Sequence, residues 1–177
     1  AIVCVHYGGL PCDMDELHAI AKSAGIPVIE DAAHAIGAVY RGRSIGSISD
    51  FTIFSFQAIK HITTGDGGML VLRDPSLLPK AKRIRWFGID RESKHQAVWE
   101  HDIREVGYKY QMNDIGAGMG LAGLEEWEGV RQLRQQLFSA YEHGLSDIPG
   151  IKFIGGGYVD RVHAAWLCTV AAEKRVK

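Results

Sequence analysis

One stretch of the sequence, residues 51–69, constrains the fold more than any other: FTIFSFQAIKHITTGDGGM. Its apolar run predicts a buried strand over residues 51–56. The run leads to a lysine, Lys60, and then at once to a glycine-rich turn. On spacing alone, Lys60 would be a surface lysine whose stem packs on the protein. Its closeness to a buried strand and a glycine turn favours a functional amine instead, and the rest of the chain has to decide between the two.

Strands and helices alternate along the first part of the chain. Residues 1–6 and 26–29 are short apolar strands. Between them a helix is predicted to begin at Asp13, with Glu16 three residues on in the pattern of a capping box, and to end at Gly25. A strand–helix–strand unit of this length implies two parallel strands joined by a right-handed crossover. The pattern predicts an α/β fold with a mostly parallel sheet.

The remaining elements extend this fold and suggest a second domain. Strands are predicted at residues 68–73, 151–153 and 166–171, a small hairpin at 39–45, and helices at 77–87, 113–124 and 125–145. We divide the chain into a partial large domain, residues 1–128, and a connecting helix with part of a small α+β domain, residues 129–177. Four glycines in the helix at 113–124 predict close packing on the core or on a subunit partner, the alternative being an irregular helix. The polar stretch at 88–106 is predicted as a long functional loop.

The composition excludes several classes of protein. The net charge of the 177 residues is −1 with acids and bases interspersed, which gives no support for nucleic-acid binding. No apolar run approaches the roughly 20 residues of a membrane helix. Three widely spaced cysteines predict reduced thiols in the cytoplasm, and they lack the spacing of a metal site. We therefore predict a globular protein without metal, nucleic acid or membrane as a partner.

An acidic residue, Asp31, follows directly on the strand at 26–29, where α/β folds place their ligands. A carboxylate there could keep the ring nitrogen of pyridoxal phosphate (PLP) protonated, and a lysine that can become neutral could hold that cofactor as a Schiff base. His34 would stand beside the ring, and the Ser55 hydroxyl could reach the phosphate. Taken singly, each has a plainer explanation: Asp31 as a turn or cap residue, His34 as a packed histidine. The turn after Lys60 lacks the spacing of a nucleotide-binding P-loop, so ATP or GTP is a poor alternative.

Three separated segments, EDAAHAIGA, FSFQAIKHITTGDGG and GYKYQMNDI, occur in this order along the chain. Together they resemble the DegT/DnrJ/EryC1/StrS family of sugar aminotransferases over nearly the whole sequence. The resemblance implies the three-layer, aspartate-aminotransferase-like architecture. It implies that Lys60 is the Schiff-base lysine, that Asp31 pairs with the pyridinium nitrogen, and that His34 and Ser55 bind the cofactor. Lys109, where many members carry asparagine, would reach the phosphate of the neighbouring subunit's cofactor.

The function implied by this resemblance is transfer of an amino group, with glutamate as the expected donor, to a nucleotide-linked keto sugar in a homodimer. Substrate contacts are expected in the loop at 88–106, with Trp86, Arg91, His95 and Trp99. Two alternatives remain. One is a sugar dehydratase of the same family, which has histidine in place of the lysine. The other is a non-catalytic fragment or interaction module that keeps the fold, because the chain is about half as long as family members and looks cut at both ends.

Overall fold

The computed structural model describes residues 1–92, 103 and 105–173, which form two compact units. The first unit comprises residues 1–73 and the chain from 115 onwards, and the second comprises residues 74–114. In chain order the elements are β1 (Ile2–Val5), α1 (Met14–Ala24), β2 (Val28–Asp31), β3 (Val39–Tyr40), β4 (Arg43–Ser44), β5 (Phe51–Ser55), β6 (Gly68–Leu72), α2 (Leu78–Arg85), α3 (Asp114–Glu125), α4 (Trp127–Leu145), β7 (Ile151–Ile154), β8 (Arg161–Val162) and β9 (Thr169–Ala172).

The main sheet of the first unit has the strand order β1-β2-β5-β6. The first three strands are parallel, with Val5 opposite Asp31 and Asp31 opposite Ile53. β6 runs antiparallel to β5 and brings Gly68 opposite Ser55. The mostly parallel α/β sheet predicted from the sequence is confirmed, and it aligns the carboxyl ends of β2 and β5 at one edge.

Helix α1 joins β1 to β2 as predicted, but its first turn differs from the expected capping box. At the carboxyl end Gly25 adopts a left-handed conformation, φ 64°, and its N–H bonds back to the last turn. At the other end the Asp13 side chain makes no capping bond. Its Oδ1 instead accepts a hydrogen bond from Nη2 of Arg161, 2.7 Å away. A charged partner from a distant segment has replaced the local backbone partner, which the sequence pattern could not reveal.

Arg161, the first residue of β8, connects this strand to Pro11 and Asp13, just ahead of α1. Its guanidinium donates to the carbonyl oxygen of Pro11, 2.9 Å away, and lies over the rings of Tyr40 and Tyr158 at 5.0 and 4.7 Å. Its side chain is only 7% exposed. The β3–β4 hairpin, whose turn at Arg41 and Gly42 has positive φ, pairs through β3 with β8. The late part of the chain is thereby held against the loop between β1 and α1.

A buried carboxylate, Glu30, connects the three parallel strands. Its Oε2 lies 2.8 Å from Nε2 of His6, and both side chains are fully buried. His6 Nδ1 accepts a bond from the backbone N–H of Cys12, so Nε2 carries the proton that faces Glu30. Oε1 of Glu30 accepts from the Ser49 backbone N–H at 3.0 Å and from the Thr52 hydroxyl at 3.3 Å. Burial alone would raise the pKa of Glu30, but these hydrogen bonds outweigh it and hold the pKa below its usual value.

The glycine-rich helix α3 packs directly on the turn that follows Lys60. A Cβ added to Gly120 would lie 3.0 Å from Cγ2 of Thr64, and one on Gly123 would lie 3.1 Å from Cγ2 of Ile62. A Cβ at such a distance would require the neighbouring methyl group to move by a few tenths of an ångström. The prediction of close packing on the core is therefore confirmed for these two glycines, and the helix itself is regular.

The last strand begins later than predicted. β9 is Thr169–Ala172, and it pairs antiparallel with β7. Residues 166–168, expected to be strand, are irregular like the three residues before them, and Ala165 has a positive φ of 57°. Hydrogen bonds to Gly8 and Gly9 draw this segment away from the sheet. We call residues 163–167 the returning segment, because they lead back to the neighbourhood of Lys60.

The second unit is built around α2, close to the helix predicted at 77–87. The Asp74 side chain accepts from the Ser76 N–H and starts a short 3-10 turn ahead of the helix. Arg83 forms an ion pair with Glu105.

The predicted loop at 88–106 lies partly outside the described residues, since residues 93–102 and 104 are not described. In the part of the chain that is described, no helix is long and apolar enough to cross a membrane.

We expect Glu30→Ala to lower the free energy of unfolding by about 3–5 kcal/mol, because it leaves three buried donors without an acceptor. Thr52→Val removes only one of these donors and should lower it by about 1 kcal/mol. Urea unfolding of both variants beside the parent measures the difference. Equal effects of the two substitutions would show that the carboxylate does not hold the strands together.

Two glycines of α3 provide a matched test of the packing on the turn. Gly118 has nothing within 4 Å of an added Cβ, so Gly118→Ala should raise the free energy of unfolding by about 0.5–1 kcal/mol through helix propensity. Gly120→Ala has the same propensity gain but meets Thr64, and we expect it to be about 1–2 kcal/mol less stable than Gly118→Ala. Thermal or urea unfolding compares the two directly.

Candidate active site

Three of the predicted site residues lie near the carboxyl ends of neighbouring parallel strands. Asp31 ends β2 and Ser55 ends β5, and Lys60 follows five residues after Ser55. Asp31 Oδ1 accepts a bond from the Ala33 backbone N–H at 3.0 Å, and Ser55 Oγ accepts one from the Gln57 N–H at 3.3 Å. These local bonds hold both side chains at the edge where parallel sheets bind ligands.

The turn after Lys60 is tied back onto the end of β5. The Thr64 N–H and the Thr63 hydroxyl both donate to the carbonyl oxygen of Phe56, at 2.9 and 3.3 Å. The Thr63 oxygen in turn accepts from the N–H of Gly65, whose φ of 80° requires a residue that tolerates the left-handed region. The backbone N–H of Lys60 donates to the Gln57 carbonyl at 2.9 Å. The lysine therefore stands on a short, closed loop rather than on a free segment.

Lys60 is partly buried and does not behave as a solvated surface charge. Burial lowers the pKa of its amine, and the negative charge of Asp31 opposes that effect. Its Nζ lies 4.0 Å from the ring centroid of Trp166. A lowered pKa makes the neutral, nucleophilic amine more accessible near neutral pH.

His34 lies beside Lys60 and is fixed by three contacts. Its Nδ1 accepts a bond from the Gly8 backbone N–H at 3.2 Å, and its ring stacks on Trp166 with centroids 3.8 Å apart. Tyr7 meets it edge-on at 5.6 Å. Burial lowers the pKa of His34, the charge of Lys60 lowers it further, and Asp31 opposes both. The imidazole is consequently held neutral beside the lysine.

Trp166 is the residue of this site that the sequence interpretation missed. The returning segment carries it: the Ala164 N–H donates to the Gly9 carbonyl at 2.8 Å, and the Leu167 N–H donates to the Gly8 carbonyl at 3.1 Å. A Cβ on Gly9 would lie 3.0 Å from Cβ of Ala164, so only glycine permits this approach. The interpretation of residues 166–171 as strand concealed the turn. An aromatic residue inside a short, β-branched-poor run was the only available signal.

Two further histidines, His61 and His163, line the contact between the loop of Lys60 and the returning segment. His61 Nε2 donates to the Ala164 carbonyl at 3.0 Å, while His163 Nδ1 accepts from the Ala165 N–H at 2.8 Å. Burial lowers the pKa of each to about 4, and for His61 the positive charge of Arg134 adds to the effect. Both imidazoles are neutral structural groups in the folded chain.

Lys109 belongs to the second unit, where it forms an isolated antiparallel bridge with Trp86. Its predicted contact with the cofactor of a neighbouring subunit stays a prediction. Trp86 and Arg91 line a cavity of about 350 Å³ in the second unit, with Arg91 5.7 Å from the Trp86 ring. His95 and Trp99, the other two residues expected to contact substrate, lie outside the described residues.

The residues around Lys60 fit the chemistry of PLP. Lys60 is a partly buried amine of lowered pKa that could serve as an attachment point. A carboxylate at the end of a parallel strand is close enough to influence that amine, and a neutral imidazole lies beside it. The Ser55 oxygen and the Thr63–Gly65 turn supply polar groups on the same strand and loop. Among the described residues, no group of three or more His, Cys, Asp or Glu side chains is placed to hold a metal ion.

Known proteins resemble this chain in sequence and in fold. The model of the DegT/DnrJ/EryC1/StrS aminotransferase family matches residues 1–177. The spore coat polysaccharide biosynthesis protein SpsC of Bacillus subtilis is 37% identical over 155 residues, which are 85% of this chain and 40% of SpsC.

Two solved structures share the fold. The sugar aminotransferase CalS13 of Micromonospora echinospora is 34% identical, with a TM-score of 0.89 over 98% of this chain and 48% of its own. Spr1654 of Streptococcus pneumoniae, solved in a PLP form, is 27% identical with a TM-score of 0.88 over 97% of this chain and 47% of its own. The chain thus spans less than half the length of each of these relatives.

The two neutral histidines predict a loss of stability in acid. An unfolded histidine has a pKa near 6.5, so each contribution is fully present above about pH 6.5 and is lost as the pH falls towards 4. We expect a loss of about 3 kcal/mol for each imidazole by pH 4. Urea unfolding between pH 4 and 7.5 should show a shallower dependence for His163→Phe than for the parent. His143→Gln, at an exposed position of α4, should leave the dependence unchanged.

Proposed function

Since the chain belongs to the DegT/DnrJ/EryC1/StrS aminotransferase family, we propose that it forms part of a PLP-dependent enzyme that moves an amino group from an amino acid to a sugar. The observation that carries this proposal is the placement of a partly buried Lys60 close enough to Asp31 and His34 for the charges of Asp31 and Lys60 to act on their neighbours. None of the three would identify an active site alone. Their convergence near the carboxyl ends of parallel strands supports one.

Bound PLP would supply an aldehyde carbon for attachment and a ring that accepts electrons during transfer of the amino group. Lys60 is the proposed attachment point. Once the amino donor has taken its place, Lys60 Nζ would act as the base that removes the proton from the donor's α carbon. The resulting ammonium would then act as the acid that gives this proton back during the transfer. Burial, which lowers the pKa of this amine, favours the neutral form needed for the first of these steps.

Asp31 and His34 are proposed to serve as the fixed electrostatic partners of that lysine. The Asp31 carboxylate is positioned to keep the ring nitrogen protonated, and its bond from Ala33 fixes the direction of the carboxyl group. His34, neutral and held by Gly8, offers a flat surface and a hydrogen-bonding atom beside the ring. Ser55 is proposed as a phosphate ligand because its hydroxyl stands at the end of β5, on the strand that leads to Lys60.

For the substrates we propose glutamate as the donor and a nucleotide-linked keto sugar as the acceptor. The names of CalS13, a sugar aminotransferase, and of SpsC, a polysaccharide biosynthesis protein, support a sugar acceptor. We further propose a cytoplasmic homodimer in which Lys109 reaches the partner's cofactor. In the complete protein, residues 1–128 would belong to the large domain and residues 129–177 to the connecting helix and small domain.

The dehydratase alternative requires histidine in place of the attachment lysine. Lys60 occupies that position here, and the neighbouring His61 already donates its Nε2 proton to the Ala164 carbonyl. Burial also lowers the pKa of His61 to about 4, so it is a poor base near neutral pH. These contacts favour the aminotransferase over the dehydratase.

We expect borohydride reduction of the full-length protein in the presence of PLP to attach the cofactor irreversibly to Lys60. Peptide mass spectrometry locates the adduct, and the visible absorption band should disappear in Lys60→Ala. Lys22→Ala, a substitution in α1, serves as the matched control and should keep both signals. A protein that shows neither band nor adduct is the non-catalytic fragment of the second alternative.

The transfer itself is measured with glutamate and a panel of nucleotide keto sugars. We expect Lys60→Ala to lower the rate by about 100- to 10,000-fold, which is the usual contribution of a positioned proton-transfer group. Asp31→Asn should lower the rate while leaving the adduct at Lys60 detectable, because the amide still occupies the position but carries no charge. If glutamate gives up its amino group but none of the keto sugars in the panel accepts it, the sugar acceptor is rejected.

A further inference from the structure

The roles proposed for Lys60, Asp31, His34 and Ser55 leave one contact of Lys60 unexplained. Its Nζ lies 4.0 Å from the ring centroid of Trp166, a residue more than 100 positions later in the chain. The same indole stacks on His34 at 3.8 Å. Trp166 therefore touches both the reactive lysine and the imidazole beside it.

The indole is fixed independently of Lys60. Its Nε1–H donates to the carbonyl oxygen of Ile59, the residue before the lysine, at 3.3 Å. The backbone on either side is held by the bonds of Ala164 to Gly9 and of Leu167 to Gly8. The same indole therefore bonds to the peptide just before Lys60 and lies under the amine at the tip of its side chain.

An ammonium over an indole face is attracted by the negative potential of the ring, and tryptophan is the strongest of the aromatic side chains in this respect. The other titratable groups that face Lys60 are Asp31, His34 and His61. Asp31 alone among them carries a negative charge, and both histidines are held neutral. The Lys60 ammonium is thus attracted by two groups, the carboxylate of Asp31 and the indole ring of Trp166.

We propose that Trp166 is a positioning residue that holds the protonated amine of Lys60 over its indole face, beside His34, whenever the lysine is not attached to the cofactor. The inference rests on the proposed function, because it concerns the lysine between its attachment and proton-transfer roles. An amine held in this way stays within reach of the donor's α carbon instead of sampling the rotamers of a long side chain.

The test replaces Trp166 site-specifically with mono-, di- and trifluorotryptophan in the full-length protein without cofactor. Fluorine withdraws the negative potential of the ring face while leaving its shape nearly unchanged. A weaker hold destabilises the ammonium, so the neutral fraction of Lys60 rises at a fixed pH below its pKa. Competitive acetylation with acetic anhydride, read at Lys60 by mass spectrometry, should accelerate about three- to ten-fold along the series.

The matched control is the same fluorinated series at Trp127, which contacts His61 edge-on at 5.8 Å. The rate of acetylation at Lys60 should stay constant along this Trp127 series. A flat or falling rate along the Trp166 series, or an equal rise in the Trp127 series, overturns the proposal. Because the measurement uses protein without cofactor, it reports on the Trp166–Lys60 contact even if borohydride trapping fails, so the two failures are told apart.

Discussion

The buried carboxylate of Glu30 is the contact on which the geometry of this fold depends. A charged group without solvent is tolerated only when its lone pairs are filled, and Glu30 receives donors from His6 after β1, from Ser49, and from Thr52 on β5. These donors come from the neighbours of β2 on both sides. The relative position of three parallel strands is consequently fixed by polar bonds as well as by backbone pairing.

The next residue along the same strand has the opposite task. Successive side chains of a strand point to opposite faces of the sheet, so Glu30 and Asp31 cannot share an environment. The first carboxylate is consumed in holding strands together, and the second stays partly exposed and acts on Lys60. Two adjacent acids thus have different environments: the bonds of Glu30 hold the strands together, and the rigid strand places Asp31 for the role proposed for it.

Much of this arrangement could be predicted from the sequence because it depends on neighbours along the chain. Alternating strands and helices predicted the parallel sheet, and Asp31, Ser55 and Lys60 follow strand ends that periodicity reveals. The Glu30–His6 bond, the replacement of the Asp13 cap by Arg161, and the position of Trp166 depend on partners brought together only by folding. A one-dimensional pattern carries no signal for such pairs. Residues 166–168 were wrongly predicted as strand because their apolar character does not reveal that this segment bonds to the distant Gly8 and Gly9.

The attachment of the returning segment has a consequence for synthesis on the ribosome. The bond from Arg161 to Pro11 spans 150 residues, and that from Trp166 to Ile59 spans 107. Emerging chain passes the exit tunnel in order, so the central sheet and the loop of Lys60 are complete long before their aromatic cover is made. Until Trp166 has left the tunnel, the nascent chain presents Lys60 without the indole, so this contact forms only after the sheet that carries the lysine.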